Sequence, residues 1–242
     1  MSIIRIQNLT YNRFFMHGRT HFIFYCLLTL LVAQANAQTR IRPVERQAID
    51  NMVNDVSLTT FYPILLQRFK SSDPTLTLSE YRLIYYGYIF QPNYSYNSNQ
   101  RKKQMKMAMQ ADEYQKVTEL ADEVLETNPV SLTALYFRAY AMLNANENDP
   151  SYKKYIKKYN GLRDAILSSG NGKGSATAFK TIYFEDDYEI MHRYLGIEHG
   201  VSRSLQYPCD RFSITPSGNY NEAEIFFDFS DNLIPVKKSR TR

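Results

Sequence analysis

Only two histidines, His192 and His199, follow residue 37 of this 242-residue chain, within H-R-Y-L-G-I-E-H. With Glu198 and Cys209 they offer the imidazole, carboxylate and thiolate donors that suit zinc. Seven residues apart, with Gly196 between them, they match no metal-ligand spacing. A serine or cysteine nucleophile would need one of the same two histidines as its base, and no G-x-S-x-G occurs. The run Glu185-Asp186-Asp187 would supply the paired acid and base of a glycosidase. At the start of a helix the same three acids complement the positive end of its dipole, which accounts for them without chemistry. No catalytic residue, metal or cofactor is expected.

The stretch S-S-G-N-G-K-G-S-A-T-A-F (168 to 179) has the glycine content of a phosphate cradle. A P-loop needs G-x-x-x-x-G-K-S/T after a strand and opening a helix. Here the spacing differs, a helical pattern precedes and a strand pattern follows, so the glycines read as a helix C-cap and a flexible connector. The basic run K-K-Y-I-K-K places Lys153, Lys154, Lys157 and Lys158 on one side of a helix, a solvated face opposite Tyr155 and Tyr159. The Tyr-rich run Y-R-L-I-Y-Y-G-Y-I-F-Q-P-N-Y-S-Y-N is the best candidate contact surface. Tyr81, Tyr85 and Tyr88 share a helix face suited to a core, and Tyr86 is offset from it. Tyr94 and Tyr96 follow in a Pro/Asn loop. Tyr94, Tyr96 and Tyr86 are the expected ligand or partner residues, because tyrosine brings a large contact area with little side-chain entropy to lose.

The elements that position these residues follow from periodicity. Apolar spacing is helical from residue 43 to about 167. A first helix over 43 to 56 carries Ile49, Met52, Val53 and Val56 on one face, and a short one covers 62 to 70. Thr77-Leu78-Ser79-Glu80 matches a capping box and opens the next helix. Val117, Leu120, Ala121, Val124 and Leu125 then mark a helix stopped at Asn128-Pro129, and Leu132, Leu135, Tyr136, Ala139 and Leu143 mark its antiparallel partner. A further helix spans about 151 to 167. Beyond the glycines, 179 to 184, C-D-R-F-S-I and E-I-F-F-D-F read as strands, the last two joined by the turn residues Thr215 to Asn219. The sequence D-D-Y-E-I-M-H-R-Y-L reads as a helix ended by Gly196. The fold class is α+β: a helical subdomain over 38–170, then a small α+β subdomain over 171–236 with an antiparallel sheet and one helix. A basic tail, 237–242, ends the chain.

The pair over 114 to 143 resembles the tetratricopeptide repeat through Tyr114, Ala121, Val124, Leu125, Pro129, Leu135 and the small Ala139. It covers about one and a half repeats, with Val at 117 where Ala is usual, and the preceding R-K-K-Q-M-K-M-A-M fits the pattern poorly. Fewer than three repeats do not stand alone, so the pair must lean on the rest of the chain.

Residues 22 to 33, F-I-F-Y-C-L-L-T-L-L-V-A, form an apolar run between Arg19 and the small-x-small site Ala35-Asn36-Ala37. This is the order of a signal peptide, too short for the roughly 20 residues of a spanning helix. The expected leader is 1–37, with Met16 a candidate start and Gln38 the first mature residue. Its removal takes Arg5, Arg13 and Arg19 from the 29 Lys plus Arg, leaving 26 against 24 Asp plus Glu, a net charge near +2. Four of those positives lie in the tail, so the body lacks the basic face that nucleic acid requires. Cys26 leaves with the leader and Cys209 stands alone, so no intrachain disulfide is expected.

The runs L-T-L-S-E-Y-R-L-I-Y-Y-G-Y-I-F-Q-P-N-Y, L-A-D-E-V-L-E-T-N-P-V-S-L-T-A-L-Y-F-R-A-Y and G-S-A-T-A-F-K-T-I-Y-F-E-D-D-Y-E-I-M-H-R-Y-L-G resemble a domain-of-unknown-function family of exported proteins from gut-type Gram-negative bacteria. The resemblance spans nearly the whole mature chain. It implies a periplasmic or secreted protein and brings no catalytic residues. The expectation is a soluble, non-catalytic binding or assembly protein whose partner is a protein or peptide, or a glycan. The alternative is a cell-envelope or glycan hydrolase using the acids at 185 to 187.

Overall fold

A computed structural model describes residues 41–95, 100–146, 148–198 and 201–230. The leader 1–37, Tyr96, His199 and the tail 237–242 lie outside the described residues. The helices are α1 (Arg46–Asn54), α2 (Tyr62–Lys70), α3 (Leu78–Gly87), α4 (Gln100–Gln110), α5 (Tyr114–Thr127), α6 (Leu132–Ala145), α7 (Tyr152–Leu167) and α8 (Phe184–Tyr188). A π-helical segment, Glu189–Tyr194, continues α8. The strands are β1 (Phe179–Lys180), β2 (Ser202–Gln206), β3 (Cys209–Ser213) and β4 (Glu224–Asp228).

The expected α+β class holds. The sheet has the order β1-β4-β3-β2: β3–β4 is the expected antiparallel hairpin, and β2, which was not expected as a strand, pairs antiparallel with β3. Strand β1 adds to β4 in parallel, through Phe179 opposite Phe227, so the sheet is mixed rather than purely antiparallel. Only two residues of the expected 179–184 strand pair with β4, because the chain turns into α8 at Phe184.

Helix α3 is the hub. Its capping box is formed: Thr77 Oγ1 accepts the Glu80 N–H, and the Glu80 carboxylate accepts the Thr77 N–H at 2.8 Å. Every residue from Tyr81 to Gly87 is buried, the signature of a helix enclosed on all sides rather than amphipathic. Helices α1, α2 and α7 surround it, and a single apolar cluster runs from Val53, Leu65 and Ile84 through Leu162 and Ile166 to Ile190, Phe212 and Phe227. That cluster is continuous across residue 170. Where α7 crosses α3, Gly161 leaves room for the Tyr81 ring, which a Cβ would meet at 2.2 Å. Buried Arg82 ties the entering chain to this hub, donating to the carbonyls of Arg42 and Pro43 and to the Ser168 hydroxyl. Helix α1 ends at Asn54, two residues before the expected limit, so Ile49 and Val53 are buried while Met52 and Val56 are exposed.

The helix pair expected over 114 to 143 forms α5 and α6. Val117, Leu120, Ala121 and Val124 pack with Ala134, Phe137 and Ala141 of α6 and with Met105 and Ala108 of α4 in a second apolar cluster. Helix α6 is buried on two sides, because Leu132 and Leu135 belong to the main cluster. The pair therefore leans on α4 and on the hub.

Candidate binding groove

Of the three tyrosines expected to form a contact surface, Tyr86 belongs to the core. It is 1% exposed, and its hydroxyl donates to the Lys180 carbonyl at 3.1 Å. This corrects its assignment to a surface: the offset from the Tyr81/Tyr85 face turns it toward α7 and β1, not toward solvent. Tyr94 is half-buried, its ring 6.0 Å from Tyr88 and 5.5 Å from Tyr183, its hydroxyl donating to the Ile182 carbonyl at 2.9 Å. Tyr96 lies outside the described residues.

The acids at the start of α8 are engaged inside the fold. Asp186 and Asp187 are 1% and 0% exposed. The Tyr85 hydroxyl donates to Asp186 at 2.6 Å while accepting the Ile182 N–H at 3.1 Å. The Thr181 hydroxyl donates to Asp187 Oδ1 at 2.7 Å, and Asp187 Oδ2 is buried without a hydrogen-bond partner among the described residues. Burial pushes the Asp186 carboxyl up to about 8. It raises Asp187 well above the usual carboxylate range too, with Asp210 and Asp186 adding like charge. Asp210, also buried, is held by both Nε and Nη2 of Arg203. Glu185 pairs with Lys102, itself buried and 4.8 Å from the Tyr183 ring.

The glycine loop is tied down instead of serving as a flexible connector. The N–H groups of Asn171 and Gly172 both donate to the Thr177 carbonyl, and the Gly172 carbonyl accepts from Phe226 of β4. Gly172 adopts φ +71 against the Phe179 ring, and a Cβ at Gly170 would strike the Ala178 carbonyl at 2.3 Å, so close backbone approach explains both glycines. The lysine run is likewise only partly solvated. Lys158 is buried and donates to the Lys70 carbonyl at 2.8 Å, at the negative end of α2. Cys209 is 1% exposed, and burial and then Asp228 push its thiol up to about 11, far from a reactive thiolate. Among the described residues no three His, Cys, Asp or Glu are grouped to hold a metal ion, and no helix is long and apolar enough to cross a membrane.

A groove of about 470 Å³ opens where α4, α6 and the π segment meet. Tyr136 and Phe137 of α6 and Tyr188 form its aromatic surface, and Lys106, Met109 and Gln110 of α4 form a wall. Its polar side is built by the π segment. Glu189, buried, accepts from Thr133 Oγ1 at 2.9 Å and from Arg193 Nε at 2.7 Å, so each carboxylate oxygen has a donor. The Arg193 guanidinium lies 3.7 Å over the Tyr136 ring. His192 stacks on Tyr188 at 6.0 Å, and its Nδ1 meets the Ile197 carbonyl at 2.5 Å. A carbonyl only accepts, so Nδ1 carries the hydrogen, and Nε2 has no hydrogen-bond partner among the described residues. The widened π turn, closed by Leu195 N–H to the Ile190 carbonyl and ended by Gly196 at φ +67, sets His192 and Arg193 side by side on the groove. The sequence signal was present: Glu189 and Arg193 stand at i and i+4, a helical ion-pair spacing. Tyr136 at their other side was legible only as a core position.

The fold and the groove define an α+β protein with a helical body and a small mixed sheet. Residues 47–238 match the model of a domain of unknown function, DUF4919, and the chain belongs to that family. No curated protein and no solved structure matches the chain.

Proposed function

We propose that this chain is a non-catalytic binding or assembly protein whose contact surface is the groove beside the tetratricopeptide-like pair. The observation that carries the reading is the groove itself: the half-buried Tyr136 and Tyr188 rings between a cationic helix and a guanidinium held in place by Glu189. Tyr and Arg at the centre of a concavity are the side chains that dominate protein contacts. A glycan hydrolase would need two carboxyl groups flanking a bound sugar, and burial of Asp186 and Asp187 speaks against that alternative. The n, h and c order of residues 16 to 37, together with the likeness to exported Gram-negative proteins, supports a periplasmic or secreted address.

Affinity capture from envelope extract tests the reading. Wild type should retain a specific protein partner that an equally stable Lys106→Glu, His192→Ala variant loses. Hydrolysis of envelope glycan by wild type, abolished in Asp186→Asn, would overturn it. N-terminal sequencing of the exported protein should start at or near Gln38, whereas an intact apolar run in the membrane fraction would count against the address.

A further inference from the structure

We infer that the groove takes an acidic segment of a partner polypeptide, one carboxylate seated on Arg193 beside Lys106 and an adjoining apolar side chain against Tyr188 and Met109. This rests on the binding reading above and names the chemistry of its partner. Arg193 is the anchor of the groove. Its Nε is engaged by Glu189, its face by the Tyr136 ring, and neither Nη has a hydrogen-bond partner among the described residues. A guanidinium held flat with its terminal N–H groups free is preorganised for bidentate binding of a carboxylate. The holding group is itself fixed, because buried Glu189 takes a second bond from Thr133. Less side-chain freedom is then lost when the anion arrives. Lys106 is exposed on the facing helix with no ion-pair partner among the described residues, and it places a second cation on the same groove.

Charge accounting narrows the ligand. The lining carries Lys106 and Arg193 against Glu189 and Glu198, so the groove has no net field to attract a polyanion. Glu189 is neutralised by Arg193, while Glu198 is exposed and lines the same groove. A nucleic acid or polyphosphate would meet Glu198 with like charge, whereas a single carboxylate on the Arg193 fork would not need to approach it. The groove is open, and half-buried Tyr188 and Met109 offer apolar area within it. A free small acid would leave that area uncovered; a peptide bearing both side-chain types covers it.

The test uses the full-length mature protein and a fluorescein-labelled peptide library built from Leu, Phe and Glu, matched by a library with Gln in place of Glu, read by fluorescence anisotropy. The Glu peptides should bind, and their Gln counterparts should bind roughly tenfold more weakly, as for loss of a charge-assisted pair. Arg193→Lys, which keeps the charge and removes the fork, should weaken Glu peptides and leave Gln peptides unchanged. Glu198→Gln should leave the preference for Glu over Gln peptides unchanged, since the bound carboxylate does not approach it. Should Arg193→Lys lower the melting temperature, exposed Lys106→Glu serves instead and should abolish the preference for Glu. Equal binding of both libraries overturns the carboxylate assignment and leaves the binding reading standing. Competition by free glutarate as strong as by peptide overturns the polypeptide assignment. Binding of neither library overturns the inference, while partner capture with the wild type judges the broader reading separately.

Discussion

Tyr85 and Asp186 stand 101 residues apart in the chain, and the Tyr85 hydroxyl donates a 2.6 Å hydrogen bond to the Asp186 carboxyl inside the core. The same hydroxyl accepts the Ile182 N–H, so one oxygen joins the hub helix to the segment that leads into α8. Tyr85→Phe strands both an N–H and a carboxyl oxygen in a site without water access. The expected loss is about 1–3 kcal/mol, measured by urea denaturation, with little change in the denaturant slope.

Asp186 and Asp187 make stability depend on pH in an unusual direction. Burial raises the Asp186 carboxyl from an ordinary 3.8 to about 8, and Asp187 shifts the same way. Between those values the folded chain holds protons that the unfolded chain has released. Stability from these groups is greatest at the acid end of the window and falls as pH rises through it, by up to ~1.4 kcal/mol per pH unit for each group. Unfolding curves between pH 5 and pH 8 (a range of roughly that window) should show the decline. Asp186→Asn keeps an acceptor for Tyr85 and cannot titrate, so its curve should be flatter; an unchanged slope would exclude Asp186 as the source.

Gly161 sits inside α7, where Ala would normally be preferred by about 1 kcal/mol. A Cβ there would lie 2.2 to 2.5 Å from atoms of the buried Tyr81 ring. Overpacking of that kind costs about 1–3 kcal/mol, so Gly161→Ala should lower stability despite the gain in helix propensity. In a Tyr81→Ala background the same substitution should become neutral or stabilising. A double-mutant cycle by thermal denaturation reads the coupling directly.

Thr77 and Glu80 satisfy each other's backbone N–H groups at the start of α3. Thr77→Ala should cost about 1 kcal/mol, and Thr77→Ser should restore most of it. Because α3 is enclosed by the rest of the protein, the loss should register in the global unfolding midpoint and not as local fraying.

Much of the architecture was legible before any tertiary contact was known, because it depends on neighbours in the chain. The capping box at Thr77 and Glu80, the limits of α2, the apolar face of α5 and the turn residues between β3 and β4 are set by dihedral preferences and by spacing at i+3, i+4 or i+2. The sequence alone determined those elements, and with them the α+β class.

Burial and pairing are different in kind, since they depend on which distant elements close over a residue. The sequence Glu185-Asp186-Asp187 is the same whether it greets solvent at a helix start or, as here, lies under Tyr85, Thr181 and Lys102. Lys158 within a basic run is a solvated charge until the end of α2 arrives to accept its hydrogen bond. Arg193 reads as half of a helical ion pair, and only the packing of α6 against the π segment lays its guanidinium over Tyr136 and opens the groove. A side chain's type fixes what it can donate or accept; the distance to its partners, and so its chemistry, exists only once the helices and the sheet have packed.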